Sequence, residues 1–220
     1  MPARAREEAR VRVGGREVSV SVHGDGDTAV VLAHGAGGTR RAPLLTTIAE
    51  GLADAGHRVV LTNFPYSEDG RRVPDPPALL EATVDAVAAY AEVTLRAGRV
   101  VLGGKSMGGR MASQLVAKGR PAAGLVFLGY PLHPPGRVES LRDGHLARIA
   151  PPMLFIQGTR DALARWDLME SVAARLPGAT LHRVDDGDHS FRVRKRTGRT
   201  MVEVEAGIVT AITSWLARLS

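Results

Sequence analysis

A glycine-flanked serine follows a strongly apolar run near the middle of the 220-residue chain. Gly104, Ser106 and Gly108 form the pattern G-x-S-x-G directly after the apolar residues 100–102. In this pattern the serine sits on a sharp turn between a strand and a helix, where side chains at the neighbouring positions would clash. The turn exposes the serine hydroxyl beside a helix N-terminus. Ser106 is therefore the candidate nucleophile, and the backbone N–H of Met107 is a candidate donor to an oxyanion.

A nucleophilic serine needs a base to accept its proton and an acid to orient that base. Asp161 follows a later apolar run and His189 follows the next one, which places the three side chains in the order Ser, Asp, His. We predict that Ser106, Asp161 and His189 form a catalytic triad. The three acids between positions 185 and 188 lie too close in sequence to His189 for a short turn to bring them to its far ring nitrogen.

A second glycine-rich loop, His34-Gly35-Ala36-Gly37-Gly38, follows the apolar run 28–33. Its glycines let the backbone approach a ligand closely, and we predict that the N–H of Ala36 joins that of Met107 in an oxyanion hole. His34, at the end of a strand, is expected to brace the backbone.

Two rival interpretations of these residues fit less well. Gly104-Lys105-Ser106 resembles the end of a phosphate-binding loop, but the first glycine of G-x-x-x-x-G-K-[ST] would fall on Arg99. The acids and histidines within 182–189 could form a metal cluster, yet they lack H-E-x-x-H or EF-hand spacing, so a solvated turn is expected. We predict no metal and no organic cofactor.

The elements that must position these residues alternate between strands and helices from residue 28 onward. Continuous apolar runs are typical of parallel strands that are covered on both faces. We predict an N-terminal hairpin (11–13 and 17–22), strands at 28–33, 58–63, 100–102, 123–129, 153–157 and 180–184, and helices at 43–55, 75–98, 107–119, 163–176 and 200–219. This order indicates a mostly parallel, doubly wound α/β sheet with helices on both faces and functional loops at the carboxyl ends of its strands.

Composition restricts the possible classes of protein. At 44% hydrophobic and 24% charged residues, the chain is expected to be one globular domain, 1–220, with a flexible N-terminus at 1–10. It lacks a run of about 18 apolar residues, a secretory signal and cysteine, so a cytoplasmic protein without membrane contact is expected. The net charge of +6 and the basic run 192–199 are compatible with nucleic-acid binding. Aromatic residues, at 4%, are too few to stack on bases, so no nucleic-acid partner is expected. An oligomer is compatible with the sequence.

Three stretches resemble a known family: residues 104–110 (GKSMGGR), 63–66 (NFPY) and 129–134 (GYPLHP). They are similar to the predicted hydrolases that include a testis-expressed protein and a hydrolase-like subunit of a chromatin complex, within the small, lidless, dienelactone-hydrolase-like α/β hydrolases. The resemblance covers nearly the whole chain from about residue 17 and implies an α/β-hydrolase fold with the same triad and a minimal lid or none. Dienelactone hydrolases proper use a cysteine nucleophile, so their reaction is not implied.

The prediction for function is a serine hydrolase that cleaves a small carboxylic ester or a similar acyl bond through an acyl-enzyme, with a small-molecule acyl substrate as its partner. A thioesterase or small-peptide hydrolase stays open as an alternative. A non-catalytic interaction module is the alternative from another class, which the chromatin-associated relatives make reasonable. A complete triad argues against it, because a scaffold does not need all three residues.

The substrate site is expected to be open. Only about twenty residues, 131–150, separate two predicted strands, too few for a multi-helix lid. The walls are expected to come from the loop 64–77, from the proline-rich loop that contains His133, and from the residues after Asp161. A role in bracing its own loop is the alternative for His133. The candidate substrate-binding residues are Tyr66, Arg71, Lys105, His133, Leu163 and Trp166. Arg71, Arg72 and Lys105 would favour short or anionic esters by steering, unless both arginines are only solvated surface.

Overall fold

Eight strands form a single sheet in the computed structural model, which describes residues 6–219. The strands are β1 (Arg6–Val13), β2 (Arg16–His23), β3 (Thr28–Ala33), β4 (Arg58–Thr62), β5 (Arg99–Lys105), β6 (Gly124–Leu128), β7 (Met153–Gly158) and β8 (Ala179–Val184). Their order across the sheet is β1-β2-β4-β3-β5-β6-β7-β8. The six strands from β4 to β8 in this order are parallel, and the β1–β2 hairpin joins β4 antiparallel. The predicted mostly parallel α/β sheet is confirmed.

Helices cover both faces of this sheet. They are α1 (Pro43–Asp54), α2 (Pro65–Glu68), α3 (Pro77–Ala89), α4 (Met107–Ala117), α5 (Trp166–Arg175) and α6 (Met201–Leu216), with a π-helical turn at Tyr90–Thr94 and 3₁₀ turns at Leu146–Arg148 and Lys195–Thr197. Because successive side chains of a strand point to opposite faces, each buried strand contributes side chains to two hydrophobic cores, one on each face of the sheet. One core packs against α3, α4 and α5, and the other against α1 and α6. No helix within residues 6–219 is long and apolar enough to cross a membrane.

Helices α1 and α6 pack directly against each other on one face of the sheet. Gly51 of α1 faces Val209 of α6, and a Cβ at position 51 would lie only 2.8 Å from the Val209 Cγ2. Thr200 and Glu203 have the spacing of a capping box at the start of α6, and the structure contains it: Thr200 Oγ1 accepts from the Glu203 N–H, and the Thr200 N–H donates to Glu203 Oε2 at 2.7 Å. This box satisfies N-terminal amides that a helix leaves without partners.

The turn between β5 and α4 is possible only because its flanking residues are glycines. A Cβ at Gly104 would lie 2.2 Å from the carbonyl oxygen of Ala33, and a Cβ at Gly108 would lie 2.3 Å from the same oxygen. Ser106 itself has φ 51° and ψ −113°, a backbone conformation that costs energy for a residue with a side chain. The end of β3 therefore packs against the elbow with no space for a methyl group.

The structure departs from the expected element boundaries in the N-terminal part. Residues 6–10, expected in a flexible terminus, pair with β2 as the first part of β1, and residues 1–5 lie outside the described residues. The helix predicted to begin at Asp75 begins at Pro77, and Asp75 does not cap it, because its carboxylate accepts from the Tyr66 N–H at 2.8 Å and from Arg71. These bonds hold the loop that contains α2, a short helix that the sequence did not predict.

The predicted helix at 163–176 begins three residues later, at Trp166. Asp161 accepts from the Leu163 N–H, and His133 accepts from the Arg165 N–H, so both amides bond outside a helix. Side-chain acceptors of this kind compete with helical hydrogen bonds and keep residues 161–165 as a loop.

Two glycine-to-alanine substitutions in helices should have opposite effects on stability. Gly108→Ala should lower the free energy of unfolding by about 2–4 kcal/mol, because the added methyl group would collide with the backbone of β3. Gly207→Ala, in the middle of α6 with no atom within 4 Å of the new Cβ, should raise it by about 0.5–1 kcal/mol. Denaturant unfolding of both variants provides the measurement. Equal effects of the two changes would contradict the close contact at the elbow.

Candidate active site

Ser106 lies at the carboxyl end of β5, immediately before the first turn of α4. Its backbone N–H donates to the Leu128 carbonyl at 3.1 Å, which ties the turn to the neighbouring strand β6. The Ser106 carbonyl in turn accepts from the Arg110 N–H within α4. These bonds fix the direction of the hydroxyl, which faces a cleft at the carboxyl edge of the sheet.

The predicted triad residues are brought into hydrogen-bond contact from three separate loops. His189 Nε2 lies 2.9 Å from Ser106 Oγ, and His189 Nδ1 lies 2.7 Å from Asp161 Oδ2. With the ring proton on Nδ1, the imidazole donates to the carboxylate and accepts from the serine hydroxyl. The three side chains thus form one continuous hydrogen-bonded relay from the hydroxyl of Ser106 to the carboxylate of Asp161.

Asp161 is the buried end of this relay, with a side chain 0% exposed. Its Oδ2 also accepts from Gln157 Nε2 at 2.6 Å, and its Oδ1 accepts from the Leu163 N–H at 2.8 Å. Gln157 Oε1 accepts from the Tyr130 N–H, so the amide is held at both ends. Gln157 was not predicted as a site residue, although a glutamine at the end of an otherwise apolar buried strand marks a polar group that needs buried partners.

The neighbouring acids of the His189 loop have other partners. Asp186 pairs with Arg160 and Arg194, and the hydrogen bond from Arg194 lowers the pKa of this carboxyl. Asp188 Oδ1 accepts from the backbone N–H groups of Ser190 and Arg192 at 2.8 and 2.9 Å. These bonds close the turn that carries His189 and leave Asp161 as the carboxylate in contact with its Nδ1. Within residues 6–219, no group of three or more His, Asp or Glu side chains is arranged to hold a metal ion.

The two predicted oxyanion donors are the backbone amides of Ala36 and of Met107, which directly follows Ser106. Ala36 lines the cleft, and Met107 is the first residue of α4. Neither amide donates a hydrogen bond to another group in the described part of the chain. An amide at a helix N-terminus that lacks an internal partner can bind a negative charge.

Two buried rings brace the loop that carries Ala36. His34 Nδ1 donates to the Gly35 carbonyl at 2.8 Å, and His34 Nε2 accepts from the Phe64 N–H. The Tyr66 hydroxyl accepts from the Gly37 N–H at 3.2 Å and donates to the Gly35 carbonyl at 3.4 Å. The loop after β3 is therefore held in place by side chains from the loop after β4.

The cleft above Ser106 has a volume of about 650 Å³. Two of the six predicted substrate-binding residues, Lys105 and Leu163, line it together with Ser106 and His189. Its other walls were not predicted: they include Ala42, Pro43, Leu44 and Leu45 from the start of α1, Met201 and Glu205 from α6, and Ser190 and Arg192 from the His189 loop. Topology places these walls, since α1 and α6 both start from loops at the carboxyl edge of the sheet.

A sequence profile of the alpha/beta hydrolase domain matches residues 26–217. The chain belongs to the alpha/beta hydrolase family. The predicted α/β-hydrolase fold is confirmed by this match and by the arrangement of the sheet. The narrower resemblance to the family with a testis-expressed protein stays a prediction.

Solved structures with the same fold include small hydrolases of similar length. A dienelactone hydrolase from Anabaena variabilis superposes with a TM-score of 0.78 at 19% identity, covering 99% of both chains. An α/β serine hydrolase without a lid from Xanthomonas campestris has a TM-score of 0.74 at 19% identity, covering 98% of this chain and 96% of the other. A Pyrococcus furiosus esterase has a TM-score of 0.76 at 16% identity, covering 98% of this chain and 93% of the other.

Tyr66 and His133 were predicted to contact substrate, but the structure places both rings away from the cleft. Tyr66 is fully buried and bonds to the loop that carries Ala36 instead of lining the cleft. His133 is 2% exposed; its Nδ1 donates to the Pro134 carbonyl and its Nε2 accepts from the Arg165 N–H. Both rings are used to hold loops, which for His133 is the bracing role that the sequence analysis left open.

Arg71 and Trp166, which were also predicted to contact substrate, do not line the cleft. The Arg71 guanidinium bonds to Asp69 and Asp75 of its own loop. The Trp166 ring stacks on the Arg183 guanidinium at 5.2 Å. Arg72, which was expected to steer anionic esters with Arg71, does not line the cleft either, and the steering of anionic esters stays a prediction.

Acid should destabilise the hydrolase partly through His34. Burial lowers the pKa of His34 below its ordinary value of 6.5, and its Nε2 must be unprotonated to accept from Phe64. The unfolded chain therefore binds more protons below about pH 6.5, and the stability supplied by neutral His34 is lost as the pH falls. His34→Gln should be less stable than wild type at pH 7, and the gap should narrow at pH 5. Denaturant unfolding at both pH values measures it, and a constant gap would count against this role.

Proposed function

We propose that this α/β hydrolase cleaves a small carboxylic ester or a similar acyl bond through an acyl-enzyme on Ser106. One observation carries the proposal: the hydroxyl of Ser106, His189 and the buried carboxylate of Asp161 form an unbroken hydrogen-bonded relay that opens into a cleft. A scaffold without activity would not need the hydroxyl, the ring and the carboxylate in one relay. The shared fold with a serine hydrolase and an esterase favours the same class of reaction.

In the proposed first step, Ser106 Oγ attacks the carbonyl carbon of the substrate while its proton passes to His189 Nε2. Asp161 keeps the proton on Nδ1 and stabilises the imidazolium that forms. The negative charge that develops on the carbonyl oxygen is accepted by the N–H groups of Ala36 and Met107, which are fixed before the reaction begins.

Collapse of the tetrahedral intermediate breaks the bond to the leaving group. His189 returns its proton to the leaving oxygen, and the acyl group stays on Ser106. A water molecule then takes the place of the alcohol: His189 removes its proton, the hydroxide attacks the acyl carbon, and Ser106 leaves with the proton from His189. The products are a carboxylic acid and an alcohol, and the protein returns to its starting state.

The shape of the cleft favours short acyl groups. The segment between β6 and β7 contains only the 3₁₀ turn Leu146–Arg148 as regular structure, so it provides no helical cover for a long chain. The apolar side chains of Leu44, Leu45, Leu163 and Met201 supply a wall for a few methylene groups. A longer chain would extend beyond these side chains into solvent and gain little from burial.

Replacement of the nucleophile provides the direct test of the proposed function. Wild type should react covalently with a fluorophosphonate and hydrolyse short p-nitrophenyl esters. Ser106→Ala should lose the label and lower kcat about 10⁴-fold or more, because the members of a triad act as a unit. Gel fluorescence, mass spectrometry of the labelled peptide and steady-state kinetics give the three readouts.

Ser190→Ala is the matched control, because Ser190 lines the same cleft outside the relay. It should keep the label and turnover. Label on Ser190, or unchanged turnover in Ser106→Ala, would contradict the assignment of the nucleophile. A wild-type protein that takes no label and cleaves no ester, thioester or peptide would overturn the proposal in favour of a non-catalytic module.

Acyl-chain length should strongly affect turnover. For p-nitrophenyl esters, kcat/KM should be greatest for acetyl or butyryl, and at least about 10-fold lower for palmitoyl, because the wall of the cleft is short. A rising preference from butyryl to palmitoyl would contradict an open, short-acyl site. Arg71→Ala is the control: the ratio of succinyl to butyryl ester turnover should not change, since Arg71 is held by Asp69 and Asp75.

A further inference from the structure

Lys105 occupies an unusual position for a cation. It is the last residue of β5 and directly precedes Ser106, and its stem lines the cleft. The ammonium group does not reach solvent: Nζ is buried and has no hydrogen-bond partner within residues 6–219. A buried ammonium without such a partner is costly, so a residue of this kind requires a physical explanation.

The surroundings of the ammonium come from three loops of the active site. A Cβ placed on Gly129, after β6, would lie 3.1 Å from Lys105 Nζ, 3.2 Å from the His189 carbonyl oxygen and 3.5 Å from Asp161 Oδ2. These three groups therefore converge on the space that the glycine leaves free. The Phe191 ring, 5.9 Å from Nζ, closes another side, and the carboxylate of Asp188 acts on the ammonium from the same loop.

The charges that face Lys105 are thus the buried carboxylate of Asp161, from the loop after β7, and that of Asp188, from the loop after β8. Both raise the pKa of Lys105, but burial lowers it more, to about 8. At neutral pH the ammonium is charged and lies beside the carboxylate end of the relay. Above about pH 8 this charge is lost.

We propose that Lys105 is a positioning residue whose buried ammonium serves as the counter-charge of Asp161 while His189 is neutral. This inference rests on the proposed function. A nearby positive charge adds to the hydrogen bonds that stabilise the buried carboxylate of Asp161, and at this end of the relay two described groups can supply it: Lys105, or His189 in its protonated form. Protonated His189 cannot accept the proton of Ser106. Lys105 therefore provides the positive charge that would otherwise favour the inactive form of the base.

Removal of this charge should alter the pH dependence rather than the overall level of activity. In Lys105→Met, protonated His189 becomes the remaining cation beside Asp161, so the inactive form should persist to higher pH. The midpoint of the acid limb of kcat/KM should rise by about 0.5–1 pH unit, the size expected for a charge several ångströms away. Turnover of the acetyl ester at pH 6 should fall about 3- to 10-fold, and the two profiles should approach each other at pH 9, where wild-type Lys105 is neutral as well.

Three further proteins complete the kinetic experiment. Lys105→Arg, which retains a cation, should keep the acid limb of wild type. Lys105→Gln should behave like Lys105→Met. Because both variants remove the charge but differ in side chain, agreement between them shows that the effect comes from the lost charge and not from the shape of the new side chain. Lys118→Met makes the same change at an exposed lysine that pairs with Glu81, and its profile should superpose on that of wild type.

A purely structural role would lower activity by the same factor at every pH, and that result, or an unchanged midpoint in Lys105→Met, would overturn the inference. The rate of fluorophosphonate labelling against pH repeats the test without turnover. If wild type shows neither labelling nor turnover, the proposed function fails and this inference fails with it. If both are present and only the shift of the acid-limb midpoint is missing, the proposed function stands and the role of Lys105 is wrong.

Thermal unfolding tests the buried charge independently of activity. Because folding lowers the pKa of Lys105, the unfolded chain binds more protons between about pH 8 and its ordinary value of 10.5, so wild type gains stability across that range. Lys105→Met lacks this gain. The quantity to compare is the Tm of Lys105→Met minus the Tm of wild type. This difference should be several degrees more positive at pH 7 than at pH 10. A difference that does not depend on pH would show that Lys105 is not buried as a charge and would overturn the inference.

Discussion

The active site depends on one contact, the packing of the Ala33 carbonyl against the turn after β5. The Cα atoms of Gly104 and Gly108 approach this oxygen so closely that no side chain fits between them. The contact fixes the first turn of α4 against the end of β3, and the loop that carries Ala36 begins at that same strand end. A single steric constraint therefore sets Ser106, the N-terminus of α4 and the loop that carries Ala36 relative to one another. The strained backbone of Ser106 is maintained because the surrounding packing leaves no relaxed alternative.

Much of this arrangement could be predicted from the sequence because it follows from backbone requirements. The glycines around Ser106 report the turn, the continuous apolar runs report parallel strands, and the chain order of Ser106, Asp161 and His189 places them at successive strand ends. Parallel strands bring such ends to one edge of the sheet, whatever the details of packing. The capping box of α6 was predictable for the same reason, since both of its bonds are local.

Side-chain direction is the part that could not be predicted. Tyr66 and Arg71 lie in the loop that was expected to form a wall, but the short helix α2 and the carboxylate of Asp75 turn both side chains toward the protein. His133 lies in the expected loop, and its ring is turned away from the cleft by two backbone bonds. A spacing rule identifies which loop lies near a site, whereas hydrogen-bond competition within that loop decides which side chains face the substrate.

The close approach of α1 and α6 at Gly51 and Val209 links two walls of the cleft mechanically. The first turns of these helices carry Leu44 and Met201, which both line the cleft, and the two helices also meet in the core on the same face of the sheet. The relay of Ser106, His189 and Asp161 is carried by other loops. A substitution at Gly51 or Val209 would therefore act on the apolar wall of the cleft through the core, without a change to any residue of that relay.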